Sequence, residues 1–250
     1  MQHLREYSTT ATDTISKGEA RKITRTRVER IKELHDIFVA SRQHSVLIIF
    51  QGMDGSGKDG AAKNVFGLCA PYGLRSYSFK RPTEEELAHD FLWRIYRQLP
   101  AKGEIALFNR SHYEDIVIQR VHNWIDDQRV HQRMKAINTF EENLRDDNNT
   151  TILKFFLHIS YEQQAIELQQ RIDDPTKQWK HNPNDWKERE LWDEYMNAYD
   201  YAISNSHIPW HIIPVDQRWY RDYLISGIVL EAMEKMQLDY PRMPNKPSSK

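Results

Sequence analysis

The residues with the plainest chemical meaning are Gly52-Met-Asp-Gly-Ser-Gly57-Lys58-Asp59. They satisfy the spacing G-x-x-x-x-G-K directly after an apolar run and before a helical pattern, the setting that this motif requires. Glycines let backbone N–H groups turn inward around phosphate oxygens, and the following helix adds unpaired N–H groups and the positive end of its dipole. Gly52, Gly55, Ser56 and Gly57 thus form a phosphate cradle, and Lys58 adds a point charge against the phosphates. Asp59 belongs to the same phosphate site and stands where such loops usually carry the Ser or Thr that binds Mg²⁺. It is read here as serving the first helical turn, where negative charge favours the dipole. Asp54 lies inside the loop, where an anion is unfavourable unless a divalent cation separates it from phosphate. Mg²⁺ is held by one or two carboxylates plus phosphate oxygens, so Asp54 is read as a metal ligand.

A second group, Phe108-Asn109-Arg110-Ser111-His112-Tyr113-Glu114-Asp115, follows the apolar run Ile105–Phe108. It therefore falls at the carboxyl edge of a strand, where α/β sheets place their ligands. Arg110 can bridge phosphate oxygens through paired hydrogen bonds. Asp115, and after it Glu114, could supply a second metal contact or position an acceptor; the alternative for Arg110 and Asp115 is a structural ion pair. Lys80 and Arg81 close the expected strand Arg75–Phe79, and Arg94 lies on an expected helix. In the polar stretch 171–189, Arg171, Lys177 and Lys180 could close over a polyanion. His112, His122 and His131 read as hydrogen-bonding residues, and Cys69 as packing.

Positioning these groups requires strands buried on both faces. Residues 45–50 (SVLIIF), 105–108, 152–159 (ILKFFLHI) and 210–215 (WHIIPV) are continuous apolar runs of that kind. Helical stretches near 84–98, 128–146, 186–205 and 219–237 alternate with them, which predicts one α/β domain with a central parallel sheet covered by helices on both faces. The polar insertion would sit above the sheet's carboxyl edge as a lid, about 165–190. Residues 1–21 are expected to be a flexible arm, 22–240 the domain, and 241–250 a flexible tail. Val28, Ile31, Leu34, Ile37 and Phe38 make one face of an amphipathic helix. Its opposite face is basic, and reads either as solvated surface or as the wall of a polyanion channel.

Composition narrows the function further. The 250 residues carry 35 Lys+Arg against 36 Asp+Glu, which argues against coating nucleic acid by bulk positive charge. One cysteine excludes an intramolecular disulfide framework and a CxxC metal site. The N-terminus lacks a signal-peptide apolar run, and no stretch approaches the ~18 apolar residues of a membrane helix. A cytoplasmic protein without nucleic-acid or membrane partners is expected.

Taken together, these blocks make the sequence resemble the family 2 polyphosphate kinases. The resemblance rests on GMDGSGKDG, SFKRPTEEELAHDFLWRI, KGEIALFNRSHYEDI, TTILKFFLHIS, DDPTKQWKHNPNDWKERELWDEYMNAY and WHIIPVDQRWYRDYLIS, in family order over about residues 24–238. It implies a P-loop kinase-like three-layer fold with a helical lid, and transfer of a terminal phosphoryl group from inorganic polyphosphate to a nucleotide with Mg²⁺ (or Mn²⁺). Asp54 and Lys58 match the family's loop aspartate and lysine, Arg110 and Asp115 those of its second motif, and Arg171 its lid arginine. Asn109 resembles the branch that phosphorylates both nucleoside mono- and diphosphates, implying AMP and ADP as acceptors, with Asn109, Glu114 and Arg94 on the nucleotide side. Arg81 and Cys69-Ala-Pro-Tyr depart from the usual pattern. Dimers or tetramers are implied.

The chemistry expected is in-line phosphoryl transfer by positioning and charge neutralisation. Two unit charges 4 Å apart repel by ~4 kcal/mol at an effective dielectric of ~20; Lys58, Arg110, Arg171 and a divalent cation would offset that. Two other readings share the loop: an ATP-dependent nucleoside monophosphate kinase, and a nucleotide-binding regulatory module without turnover.

Overall fold

Strand β1 (Ser45–Gln51) is buried along its whole length, which explains its unbroken apolar sequence: it has a neighbour on each side and helices above and below. In the computed structural model, which describes residues 3–242, the chain runs α1 (Lys17–Ser41), β1, α2 (Lys58–Phe66), β2 (Leu74–Ser78), α3 (Glu84–Leu87), α4 (Trp93–Tyr96), β3 (Ile105–Asn109), α5 (Glu114–Val121), α6 (Asp127–Asn148), β4 (Thr150–His158), α7 (Tyr161–Asp173), α8 (Asn184–Glu190), α9 (Trp192–Ser204), β5 (Trp210–Pro214) and α10 (Arg218–Lys235). The strands form one five-stranded sheet in the order β2-β3-β1-β4-β5, every pair parallel. Ile49 pairs with Phe108 and Lys154, so β1, β3 and β4 end together and bring their following loops to one edge. Helices α1, α2 and α10 pack together, as do α5, α6 and α9, flanking the sheet. This is the α/β arrangement expected.

Local signals set the boundaries. Ser16, Asp126 and Ser160 accept from the backbone N–H three residues on and start α1, α6 and α7. Arg42 and Asn149 end α1 and α6 in the left-handed conformation. The helix expected over 84–98 is instead two single turns, α3 and α4. Between them the Asp90 carboxylate accepts from Leu92 N, a local bond that competes with the helical ladder. The 186–205 stretch is likewise divided, at Leu191, into α8 and α9.

The N-terminal segment corrects the expectation of a flexible arm. Residues 17–21 open α1, and the described residues before them, from His3 on, are docked: Leu4 is 2% exposed. Leu4 N donates to Asp200, Thr9 exchanges bonds with Asp216, and Ala11 N donates to Gln217. The Ser/Thr composition that suggests mobility also supplies hydroxyls that bind the turn after β5. Of the expected tail over 241–250, residues from 243 on lie outside the described residues.

A fully buried charged cluster holds the start of α5. Lys154 Nζ donates to Glu141 Oε2 at 2.6 Å and to the Tyr113 hydroxyl at 2.7 Å, and Tyr113 donates to Glu141 Oε1 at 3.0 Å. His112 Nε2 lies 3.2 Å from the same Glu141 oxygen. Burial pushes the Lys154 ammonium down while Glu141 opposes it. At Glu141 burial pushes the carboxyl up, and the His112 and Lys154 contacts outweigh it and hold it low. The segment leading out of β3 is thereby pinned from below.

Candidate active site

The loop between β1 and α2 is shaped by what its carbonyl oxygens face. Gly52 O and Met53 O accept from Lys58 Nζ at 2.7 and 3.1 Å. Asp54 O accepts from Gln164 Nε2 (2.9 Å), Gly55 O from Arg218 Nη2 (2.8 Å) and Gly57 O from Arg221 Nη1 (3.0 Å). With its oxygens turned outward onto side chains, the loop is free to aim N–H groups at an anion. Glycine is required where it occurs: Gly57 has φ +85°, and a Cβ there would collide with Arg218. Ser56 Oγ and Arg218 Nη1 are buried with no hydrogen-bond partner, donors left over for a ligand.

Asp54 and Arg110 face each other across the loop mouth. Arg110 has φ +62°, a left-handed backbone rarely adopted by a non-glycine residue; its N–H is tied to Phe50 O at 2.9 Å. Its Nη2 reaches both Asp54 oxygens at 2.7 and 2.9 Å. Burial would push the Asp54 carboxyl up, but the charges of Arg110 and Lys58 and the Arg110 hydrogen bonds hold it at about 2. Lys58, 7% exposed, is pushed down to about 8 by burial, with Asp54 opposing from 4.0 Å. Glu114 lies 3.8 Å from Arg110 and accepts from Gln51.

Two cavities adjoin at this pair. One, about 630 Å³, is walled by the loop, Asp59, Lys80, Asn109, Arg171, Lys177, Lys180, Arg218 and Arg221. The other, about 370 Å³, is lined by Arg81, Arg94, Glu114, Asp115, Asp185, Trp124, Tyr195 and Tyr199 among others. Asp54, Phe79, Lys80 and Arg110 line both. The polar insertion roofs the site: Arg171 Nη1 binds Asp185 Oδ2 at 2.6 Å, and Lys180 Nζ reaches Asp59 at 3.0 Å. Asp59 opens α2 as expected and also accepts from Asn109. Burial and the Asp54 charge push the Asp185 carboxyl up to about 6 against Arg171.

Residues 14–241 match the family described as polyphosphate kinase 2 (PPK2). The chain belongs to this family. It is 46% identical over 216 residues to the AMP/ADP-polyphosphate phosphotransferase of Meiothermus ruber, covering 85% of this chain and 80% of that one. It is 39% identical over 241 residues to the ADP-polyphosphate phosphotransferase of Rhodopseudomonas palustris, covering 90% and 83%. The crystal structure of polyphosphate kinase 2 from Arthrobacter aurescens TC1 superposes with a TM-score of 0.94 at 37% identity, over 99% of this chain and 90% of that one. This PPK2 chain is thus a phosphotransferase of its family.

Asp115 and Arg94 have other partners than the sequence suggests. Arg94 is 6% exposed and donates to Lys80 O and Asp115 Oδ2, both at 2.9 Å. Gln119 donates to the second Asp115 oxygen at 2.9 Å. Both Asp115 oxygens are therefore engaged, as both Asp54 oxygens are by Arg110, and the two carboxylates line one cavity. Burial pushes the Asp115 carboxyl up despite Arg94. Among the described residues no group of three or more His, Cys, Asp or Glu could hold a metal ion. His112, His122 and His131 make hydrogen bonds to Glu141, Glu188 and Asp127 O. Among the described residues no helix is long and apolar enough to cross a membrane.

Sequence reading missed Gln164, Arg218 and Arg221, the side chains that hold the loop's carbonyls. Arg218 and Arg221 are three apart at the start of a helix that follows an apolar strand, so they share one face; that spacing was the available signal. The basic face of α1 divides. Arg27 donates to Tyr223 O and covers its ring, and Arg21 lines a small cavity with Arg218. Arg30 and Lys32 make exposed pairs with Glu33 and Asp36.

Proposed function

We propose that this PPK2 chain transfers the terminal phosphoryl group of inorganic polyphosphate to AMP and ADP. The observation that carries the reading is the adjoining of two unlike cavities at Asp54 and Arg110. The larger has eight Lys/Arg side chains against three carboxylates in its lining, suited to a long polyanion. The smaller mixes five carboxylates, four Lys/Arg and four aromatic rings, suited to a nucleotide with its base, sugar and phosphates. In-line transfer needs donor and acceptor to meet at one point with opposing charge neutralised. The 46% identical relative from Meiothermus ruber bears a name that includes both AMP and ADP, and Asn109 accords with both acceptors.

Lys58, the loop amides and the unpartnered Ser56 Oγ would hold the donor's terminal phosphates, with Arg218 and Arg221 fixing the loop and lining the rest of the channel. Arg110 and Arg171 would bridge the group in flight. The stretch from α7 to α8 would act as the lid, bringing Lys177 and Lys180 over the polyanion and excluding water. Arg94 would position Lys80 and Asp115 rather than touch the nucleotide directly.

The donor chemistry fits a Mg²⁺ ion carried in on phosphate oxygens. Asp54 is ionised at the cavity junction and can be its protein carboxylate beside the phosphate oxygens. When bound, such an ion would neutralise charge on the transferring group. No general base is required, because an ionised acceptor phosphate carries no proton that must be removed.

The test supplies long-chain polyphosphate with ADP, and separately with AMP, in Mg²⁺ buffer without ATP. ATP and ADP, respectively, are the expected products. Phosphorylation of AMP from ATP alone, with no product from polyphosphate, would overturn the reading in favour of an ATP-dependent monophosphate kinase.

A further inference from the structure

Gln164 stands near the start of α7, is 1% exposed, and has each end of its amide committed to a different part of the molecule. Its Nε2 donates to Asp54 O in the phosphate loop at 2.9 Å. Its Oε1 accepts from Nη1 of Arg189, in α8, also at 2.9 Å. A guanidinium only donates and a carbonyl only accepts, so the two partners fix which way the amide is turned. Arg189 is itself 8% exposed; it donates to Tyr161 O at 2.5 Å, and its guanidinium carbon lies 3.2 Å from the centre of the Tyr161 ring. Packing reinforces the link: a Cβ built on Gly55 would meet Gln164 Cγ at 3.4 Å.

We propose that Gln164 is a positioning residue that couples seating of the lid helix α8 to the placement of Asp54 beside Arg110. The inference rests on the phosphotransfer reading above. The path is continuous: Arg189 in the lid, the Gln164 amide, the backbone of Asp54, then the Asp54 carboxylate on Arg110. When α8 leaves, Gln164 Oε1 loses its donor in a buried place, which is costly. Rotating the amide to find another donor takes Nε2 away from the loop. Lid opening and loop release are thereby linked in both directions, as any coupling between sites must be.

The experiment compares the full chain with Gln164→Glu and Gln164→Met by hydrogen exchange without ligand, thermal unfolding, and kinetics with polyphosphate and ADP. Gln164→Glu keeps the acceptor for Arg189 and loses the donor to Asp54 O. It is expected to speed exchange in the peptide spanning 52–66, which contains the Ser56 N–H to Met53 O bond, while 184–190 stays as in the unmodified protein. Its kcat should fall about five- to tenfold with the KM for ADP within about twofold and the unfolding midpoint retained. Gln164→Met loses both bonds and should speed exchange in both segments with a similar fall in kcat. Unchanged exchange over 52–66 in Gln164→Glu, unchanged kcat in both variants, or a kcat loss that merely follows a lowered midpoint would overturn the proposal. Should the unmodified protein fail to use polyphosphate while the exchange pattern holds, the functional reading falls and the coupling stands.

Discussion

At Lys58 two effects of opposite sign nearly cancel in stability and leave activity exposed, which makes Lys58→Met a sharp perturbation. Burial pushes the ammonium from an ordinary 10.5 to about 8, a disfavouring of the charged form worth ~3 kcal/mol at neutral pH. Methionine removes that penalty while filling similar volume. Against it, the carbonyls of Gly52 and Met53 lose their donor, at about 1–1.5 kcal/mol each. The net change is within ~1 kcal/mol, a shift in Tm of no more than about 4 °C for a chain of this size. Activity has no such compensation. Removing a preorganised donor from the charge that develops in transfer costs roughly 10²–10³ in kcat. The pH dependence gives a second handle. Because the folded pKa lies below the unfolded one, the unfolded chain holds the extra proton between about 8 and 10.5, so stability from this group rises with pH across that window. Below it both states are charged and the full penalty is present. Lys58→Met should abolish the rise. Calorimetry across pH, paired with ATP formation from polyphosphate and ADP, reads both effects. A folded variant retaining a tenth of the activity, or one destabilised by more than about 4 kcal/mol, would refute the reasoning.

Lys154→Met leaves the Glu141 carboxylate buried without its cation and should destabilise by about 3–5 kcal/mol; adding Glu141→Gln should recover most of the loss in urea unfolding, and equal instability of the double variant would count against the pair's role. Asp54→Asn is expected to raise the Mg²⁺ concentration needed for half-maximal activity severalfold, whereas Asp115→Asn should leave that requirement unchanged and lower stability by about 1–3 kcal/mol through Arg94; a magnesium titration of both variants separates the two carboxylates. Arg221→Met removes the partner of Gly57 O and should raise the KM for polyphosphate about tenfold with the KM for ADP unchanged, and equal rises in both would contradict its placement on the donor side.

The parts of the site that were legible in the sequence are those where one local segment carries both the element and the chemistry. The run at 45–50 had to be a doubly buried strand, and the glycines after it had to turn, so Asp54 and Lys58 were placed by sequence alone. Arg110 was placed in the same way by the strand before it. The rest depends on what distant segments present. The pairing of Asp115 with Arg94 is hidden because nothing local reveals that Arg94, beyond the break at Asp90, meets it. The N-terminal residues looked mobile because their partners, Asp200, Asp216 and Gln217, lie some two hundred positions away. Gln164 carries no pattern at all: one neutral amide on a helix announces neither of its contacts.

The outward turn of the loop's oxygens also bears on when this protein becomes competent during its synthesis. The cradle is encoded in the first quarter of the chain, yet three of its carbonyls are held by groups 110, 163 and 164 positions further on. A nascent polypeptide that has finished β1 through β4 has the glycines and the lysine but lacks the clamps. Anion affinity should therefore arrive late, when α10 docks its two arginines onto the loop.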